Sequence, residues 1–356
     1  MSLENTVRIM QMIERTHRNL GLPTVFAKMI DLANMGMFLI GPRGTGKTRV
    51  MDAIIQLRHR DILEISRLTP AGLKRIADML SDSEVTIVNP DFSSFYSDYI
   101  RDAGLNVMAH LLTEHRVPKS WTAQYKYEVT NCTISFLSTA QPQLLRKINS
   151  IPQWESMYRD RFIRFCLLYP FGTPDWTDKK PTVPEITMAG PNILIPSEIK
   201  KMPEYERIRR ILSMQTSQGR SELYLNRLLK AHAQLNNRDT VIKADVEMLN
   251  LFSLYLVIDP LLSTRETVSS PLKFNPDAYM LLFFMIEHKE ATRKQMKEYF
   301  RLKREKGIFS ALSRAIEPLM ALNILKGSYG SPKYKLNPRF KQKYIDPILK
   351  FKEEYL

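Results

Sequence analysis

One stretch limits what this chain can fold into more than anything else in it: Gly41-Pro42-Arg43-Gly44-Thr45-Gly46-Lys47-Thr48. The preceding Met37-Phe38-Leu39-Ile40 reads as a short buried strand. The following Val50, Met51, Ala53, Ile54, Ile55 and Leu57 read as an apolar helical pattern. A strand running through a glycine loop straight into a helix requires an α/β fold, a parallel sheet with flanking helices. The glycines let consecutive backbone N–H groups turn inward around phosphate oxygens, and the helix start adds its partial positive charge. The expected ligand is a nucleoside triphosphate, ATP foremost, bound by the residues from Gly41 to Thr48. Lys47 is expected to reach the β- and γ-phosphates, and the Thr48 hydroxyl to ligate Mg²⁺.

Such a site also needs an acid at the end of a neighbouring strand, to hold the Mg²⁺ water shell. Val85-Thr86-Ile87-Val88 is the best candidate strand, and Asn89-Pro90-Asp91-Phe92 follows it. Asp91 is the carboxylate placed for the metal. The alternative is that it caps a turn, beside Pro90 and Ser93-Ser94. No Glu follows Asp91 to act as a base, so binding is expected and turnover is expected to be slow.

Three further stretches share a pattern with the loop. Cys132-Thr133-Ile134-Ser135-Phe136-Leu137-Ser138-Thr139-Ala140-Gln141-Pro142 is a strand with a polar end. Tyr158-Arg159-Asp160-Arg161-Phe162-Ile163-Arg164-Phe165 joins a helix to an apolar strand. Gly219-Arg220-Ser221-Glu222-Leu223-Tyr224-Leu225-Asn226-Arg227-Leu228 opens a long helix. On these motifs, Met37 to Phe252 resembles the AAA+ ATPases, in the branch of the minichromosome-maintenance helicases and MoxR-type ATPases. The resemblance implies that Gln141, with Thr139 as its rival, orients the attacking water. It implies that Arg161 enters a neighbouring subunit's nucleotide as an arginine finger, with Arg159 and Arg164 close enough to compete. It implies that Arg220 faces the nucleotide from a helical lid. Homo-oligomers follow from it, as rings (hexamers) or helical filaments. The family's usual Asp-Glu pair on the second strand is not found here. His232 shares an apolar helical face with Leu225, Leu228 and Leu229 and reads as packed core.

Charge adds a partner. The 356 residues carry a net +15, and from Ser263 to Leu356 there are 19 basic and 10 acidic residues, so +9 sits in about a quarter of the chain. That tail reads as three helices and a two-stranded hairpin, and it resembles a winged-helix domain. Lys303, Arg304, Lys306 and Arg314 flank or lie on its third helix, with Lys333 and Lys335 on the hairpin. These are the expected DNA contacts; winged helices also grip protein.

The expected organisation is an α/β P-loop AAA+ core over 1–185, a helical lid over 186–262 and a basic winged-helix module over 263–356, behind a polar linker at 263–271. The expected activity is ATP-dependent action on DNA, as a helicase-like motor or an initiator of replication or transposition. Its rivals are a MoxR-type protein-remodelling ATPase and a slowly hydrolysing, ATP-gated assembly regulator. No apolar run reaches the roughly eighteen residues of a membrane span. The start has neither a basic nor an apolar signal segment. Cys132 and Cys166 are too few for a disulfide framework or a zinc site, so the expected location is the cytoplasm.

Overall fold

The computed structural model describes residues 3–66, 70–92, 98–121, 126–149, 154–174, 176–265, 267, 270–303, 308–328 and 331–356. Two helices come first, α1 (Glu4–Glu14) and α2 (Gly21–Leu32). The glycine loop then joins β1 (Gly36–Ile40) to α3 (Lys47–Gln56). Next follow β2 (Asp61–Glu64), α4 (Pro70–Leu80), β3 (Glu84–Asn89) and α5 (Asp98–Glu114). An antiparallel pair, β4 (Val117–Trp121) and β5 (Lys126–Val129), leads to β6 (Thr133–Ala140) and α6 (Pro142–Asn149). A π-turn (Trp154–Tyr158) and a 3₁₀ turn (Arg159–Arg161) enter β7 (Phe162–Cys166).

Strands β2, β3, β6, β1 and β7, in that spatial order, form one parallel sheet. All residues of β1 and β7 are buried, as a parallel sheet covered on both faces demands. Phe38 on β1 packs against Phe92 and Phe162, with ring centroids 4.9 and 5.1 Å away. On the α2 side, Phe165 stacks between Phe26 and Tyr255 at 4.7 and 4.6 Å.

The expected lid is α7 (Ser197–Lys200), α8 (Pro203–Gln215), α9 (Gln218–Leu235), α10 (Lys243–Leu251) and α11 (Ser253–Leu261). It is fixed to the β7 edge by a buried ion pair, Arg164 to Asp259 at 3.0 Å. His232 is indeed packed core: its ring bonds Asp245 at 2.5 Å and Thr6 of α1 at 3.0 Å. The boundary expected at 185 falls inside an irregular strap, 167–196, that follows β7. Its bridge from Leu194 to Thr240 holds it against the α9–α10 connection.

The remainder is β8 (Ser263–Thr264), β9 (Lys273–Phe274), α12 (Pro276–His288), β10 (Glu290–Thr292), α13 (Arg293–Lys303), α14 (Ile308–Ala321), β11 (Leu325–Lys326) and β12 (Lys333–Leu336). A short α15 (Pro338–Phe340), a π-turn (Lys341–Ile345) and α16 (Asp346–Tyr355) end the chain. From α12 onward the order is helix, strand, helix, helix and two strands, with a three-stranded antiparallel sheet ordered β10, β12, β11. Thr292 caps α13, its hydroxyl accepting from Gln295 N at 3.2 Å.

One expectation fails. The 263–271 segment is not a free spacer, because β8 pairs with β9 and draws its two ends together. The unit behind it is not merely appended either. Residues Pro276 to Ile286 are all buried, so α12 has no solvent face. Phe283 meets Tyr169 of the strap at 4.6 Å. The Tyr279 hydroxyl lies 2.5 Å from Leu167 O and 3.2 Å from Ile40 O, at the last residue before the glycine loop.

Candidate functional site

Parallel strands open their carboxyl ends on one edge of the sheet, which is where ligands of such sheets bind. Gly41 leaves that edge next to Ala140, whose carbonyl accepts its N–H at 3.1 Å. Gly44 and Gly46 hold φ of 76° and 72°, the left-handed region that favours glycine. Gly46 is doubly required, because a Cβ there would stand 2.7 Å from Leu20 and 2.8 Å from the Trp176 ring. The turn leaves the N–H groups of residues 44–48 without an acceptor among the described residues. A row of inward N–H groups at a helix start is a cradle for an anion, so the residues fit a phosphate chain.

Lys47 folds back over the loop, donating to Gly41 O at 2.8 Å and Pro42 O at 2.7 Å. Thr45 braces the same turn by donating to Pro42 O at 2.8 Å. Burial lowers the Lys47 ammonium to about 8, and the nearby Asp91 carboxylate pulls it back up. Thr48 and Arg43 are exposed, and Thr48 follows Lys47 at the start of α3, where a hydroxyl can meet a cation.

The strand ends around Asp91 are cross-linked. Asn89 donates to Ile65 O at 2.8 Å and accepts from Ser138 at 2.7 Å, while Thr139 donates to Pro90 O at 2.5 Å. Thr139 is buried and its hydroxyl is occupied in positioning the Asp91 loop. Of the two rivals, Gln141 is therefore the one whose side chain is left available among the described residues. Its carbonyl starts α6 by accepting from Leu144 N and Leu145 N. The residue after Asp91 is Phe92, 1% exposed and plugged into the core, so no base stands there.

Arg161 and Arg220 lie elsewhere. Arg161 ends the 3₁₀ turn at the amino end of β7, whereas the loop leaves the carboxyl end of β1. The register pairs Gly36 with Phe162 and Ile40 with Cys166. Five residues at roughly 3.3 Å each separate the two edges by about 16 Å. Arg220 does not face this chain's loop as expected. It pairs with Asp160 at 3.0 Å, because the first turn of α9 packs beside the 3₁₀ turn. The three candidate arginines also separate. Arg164 is buried in its pair with Asp259, and Arg159 donates to Met214 O at 2.7 Å. Arg161 donates to Met157 O, and its buried Nε has no partner among the described residues.

Sequence reasoning missed Trp176, Leu20 and Tyr279. Trp176 bonds Arg18 O at 2.9 Å and walls the loop at Gly46. An isolated aromatic in the polar 173–180 stretch was its only signal.

The three expected DNA contacts with described side chains are each paired with a carboxylate. Lys333 and Lys335 clamp Glu290 at 2.6 and 3.2 Å, and Arg314 meets Asp277 at 3.3 Å. Arg304 and Lys306 lie outside the described residues, as does the Lys303 side chain.

Cys132 and Cys166 are free, buried thiols, and burial raises both. Among the described residues no helix is long and apolar enough to cross a membrane. No group of three or more His, Cys, Asp or Glu among them could hold a metal ion. In comparisons with known proteins, the chain matches no family model and no curated sequence.

Proposed function

We propose that this chain is an ATP-binding, slowly hydrolysing AAA+-type ATPase that assembles with copies of itself and acts on DNA. The observation that carries the reading is the row of N–H groups at 44–48, which have no acceptor among the described residues. It opens at the carboxyl edge of a parallel sheet, with Lys47 in the loop and Asp91 just past the end of neighbouring β3. Residues 41–48 would take the phosphates, Leu20 and Trp176 would wall the site, and Thr48 and Asp91 would hold Mg²⁺. Bound Mg²⁺ neutralises charge that develops on the transferred phosphoryl group. Gln141 would orient the attacking water. Phe92 in the position of a base accounts for slow turnover.

Arg161 is consistent with assembly: one sheet-height from its own loop, it would serve a nucleotide only in a neighbouring copy. Arg161→Ala is expected to bind ATP almost normally and to lose on the order of 10³ in turnover. Mixed with Lys47→Ala it should regain part of the activity, because one variant keeps the arginine and the other keeps the pocket. Steady-state hydrolysis of the mixture reads this out. No regain, in mixtures shown to form joint assemblies, would make Arg161 structural.

The pH dependence has a fixed sign. Phosphates favour the Lys47 ammonium, whose value in the free protein is about 8. Affinity for ATP should be level below that and fall by up to about tenfold per pH unit above it. Titrations at about pH 7, 8 and 9 test this, and a flat profile would separate Lys47 from the phosphates.

The net charge of +15 and the order of elements from α12 to β12, which suits a winged helix, support the DNA partner. A second reading, in which this unit grips protein, is favoured by Glu290 and Asp277, which offset Lys333, Lys335 and Arg314.

A further inference from the structure

The basic groups on α14 and β12 are tied to acids, but a second set is not, among the described residues. Where β11, the 338–345 turns and the end of α11 meet, an open cavity of about 520 Å³ is lined by Lys326, Arg339 and Lys343. The three side chains are exposed, and neither Asp nor Glu lines the cavity among the described residues. Between them lie apolar groups, Leu261, Leu322 and Phe340, with Leu322 38% exposed.

Of these cations, Lys343 is held without being neutralised. Lys343 Nζ stands 4.9 Å from the centroid of the Tyr344 ring. Arg207, reaching in from α8, stands 5.6 Å from the same ring and donates to Lys343 O at 3.2 Å. An aromatic face attracts a cation and leaves its charge available to an outside anion. Three positive groups beside apolar side chains, with Arg207 behind Tyr344 and no carboxylate among the described residues of the lining, therefore suit a polyanion.

We propose that this cleft binds single-stranded nucleic acid, with phosphates on Lys326, Arg339 and Lys343 and a base against the exposed Leu322. Cations that track a backbone beside apolar surface that receives bases are what a single strand requires. A duplex keeps its bases stacked inside and offers such a concavity only phosphates. An acidic peptide would use the cations and leave the apolar lining unfilled. The proposal rests on the nucleic-acid part of the reading above and moves the contact away from α14 and β12. It does not depend on ATP hydrolysis.

The test is fluorescence anisotropy of the full chain with a labelled oligothymidylate of about fifteen nucleotides, titrated with salt. A duplex of the same length and a labelled oligoglutamate serve as comparisons. The triple variant Lys326→Ala, Arg339→Ala, Lys343→Ala should weaken the oligothymidylate at least tenfold. It should also lower the log–log salt slope by about 2, roughly 0.7 per lost contact. The control Lys333→Ala, Lys335→Ala should change affinity less than about threefold. If the triple variant melts early, Lys326→Gln with Lys343→Gln repeats the test, with an expected slope change of about 1.4.

A triple variant that keeps wild-type affinity and slope overturns the cleft and leaves the DNA reading standing. Wild-type chain that binds neither strand nor duplex overturns both. Oligoglutamate bound as tightly as oligothymidylate assigns the cleft to an acidic protein segment instead.

Discussion

Lys47→Ala is expected to weaken ATP binding at least about 100-fold while moving the melting temperature by no more than a few degrees. Two charge-assisted hydrogen bonds to phosphate oxygens are lost, each worth about 1.5–3 kcal/mol, so about 3 kcal/mol is the lower bound. That corresponds to roughly two orders of magnitude in affinity. Stability should hold because the ammonium donates to Gly41 O and Pro42 O, carbonyls at the edge of the site that water can reach once the side chain is gone. Calorimetric titration with a slowly hydrolysed ATP analogue, alongside a thermal melt, separates the two effects. Unchanged affinity in a folded variant would remove the phosphate role from the loop.

Removing the chain after Pro271 should leave a remainder that aggregates or fails to fold, although the glycine loop lies entirely upstream. The truncation strips Tyr279 and Phe283 from the core, each worth about 1.5–3 kcal/mol as a buried side chain. It also exposes Tyr169, Phe171 and Leu167, which are buried in the intact chain. Against a typical total of about 5–15 kcal/mol this is a large fraction. Tyr279→Phe isolates the polar part, deleting the hydroxyl that reaches Leu167 O and Ile40 O. It should cost about 1–3 kcal/mol in denaturant melts. A soluble truncation that binds ATP like the full chain would show that the last quarter is an independent module.

What the sequence disclosed depended on how local the information was. The glycine loop could be read because its geometry is set within a few residues: Gly44 and Gly46 need positive φ, and Lys47 follows them directly. The helices and hairpin of the tail were legible for the same reason, because each is set largely within its own stretch of residues.

What escaped was set by contacts between distant residues. Nothing near Arg220 shows that its helix starts beside Asp160, 60 positions earlier. Nothing near Lys333 or Lys335 shows that β10 brings Glu290 between them. The polar 263–271 stretch looks like a spacer because each of its residues suits one; the pairing of β8 with β9 is visible only in three dimensions. Trp176 and Tyr279 were hidden for the complementary reason, as ordinary aromatic residues whose partners are backbone atoms of other segments.

The placement of Arg161 has a consequence for symmetry. A loop on one edge of the sheet and an arginine on the other are two different surfaces, so a repeated head-to-tail contact between them would be heterologous. A two-fold pair could also exchange arginines, each copy's against the other's loop, but it would stop at two copies. Repeating the head-to-tail step instead gives every copy the same orientation, and it ends only by closing on itself or by running on as a helix. An open array of this kind has inequivalent ends: one terminal copy offers a loop that no arginine reaches, and the other offers an arginine with nothing to serve. Growth, disassembly and capping could then differ between the two ends, giving the assembly a direction that no single copy possesses.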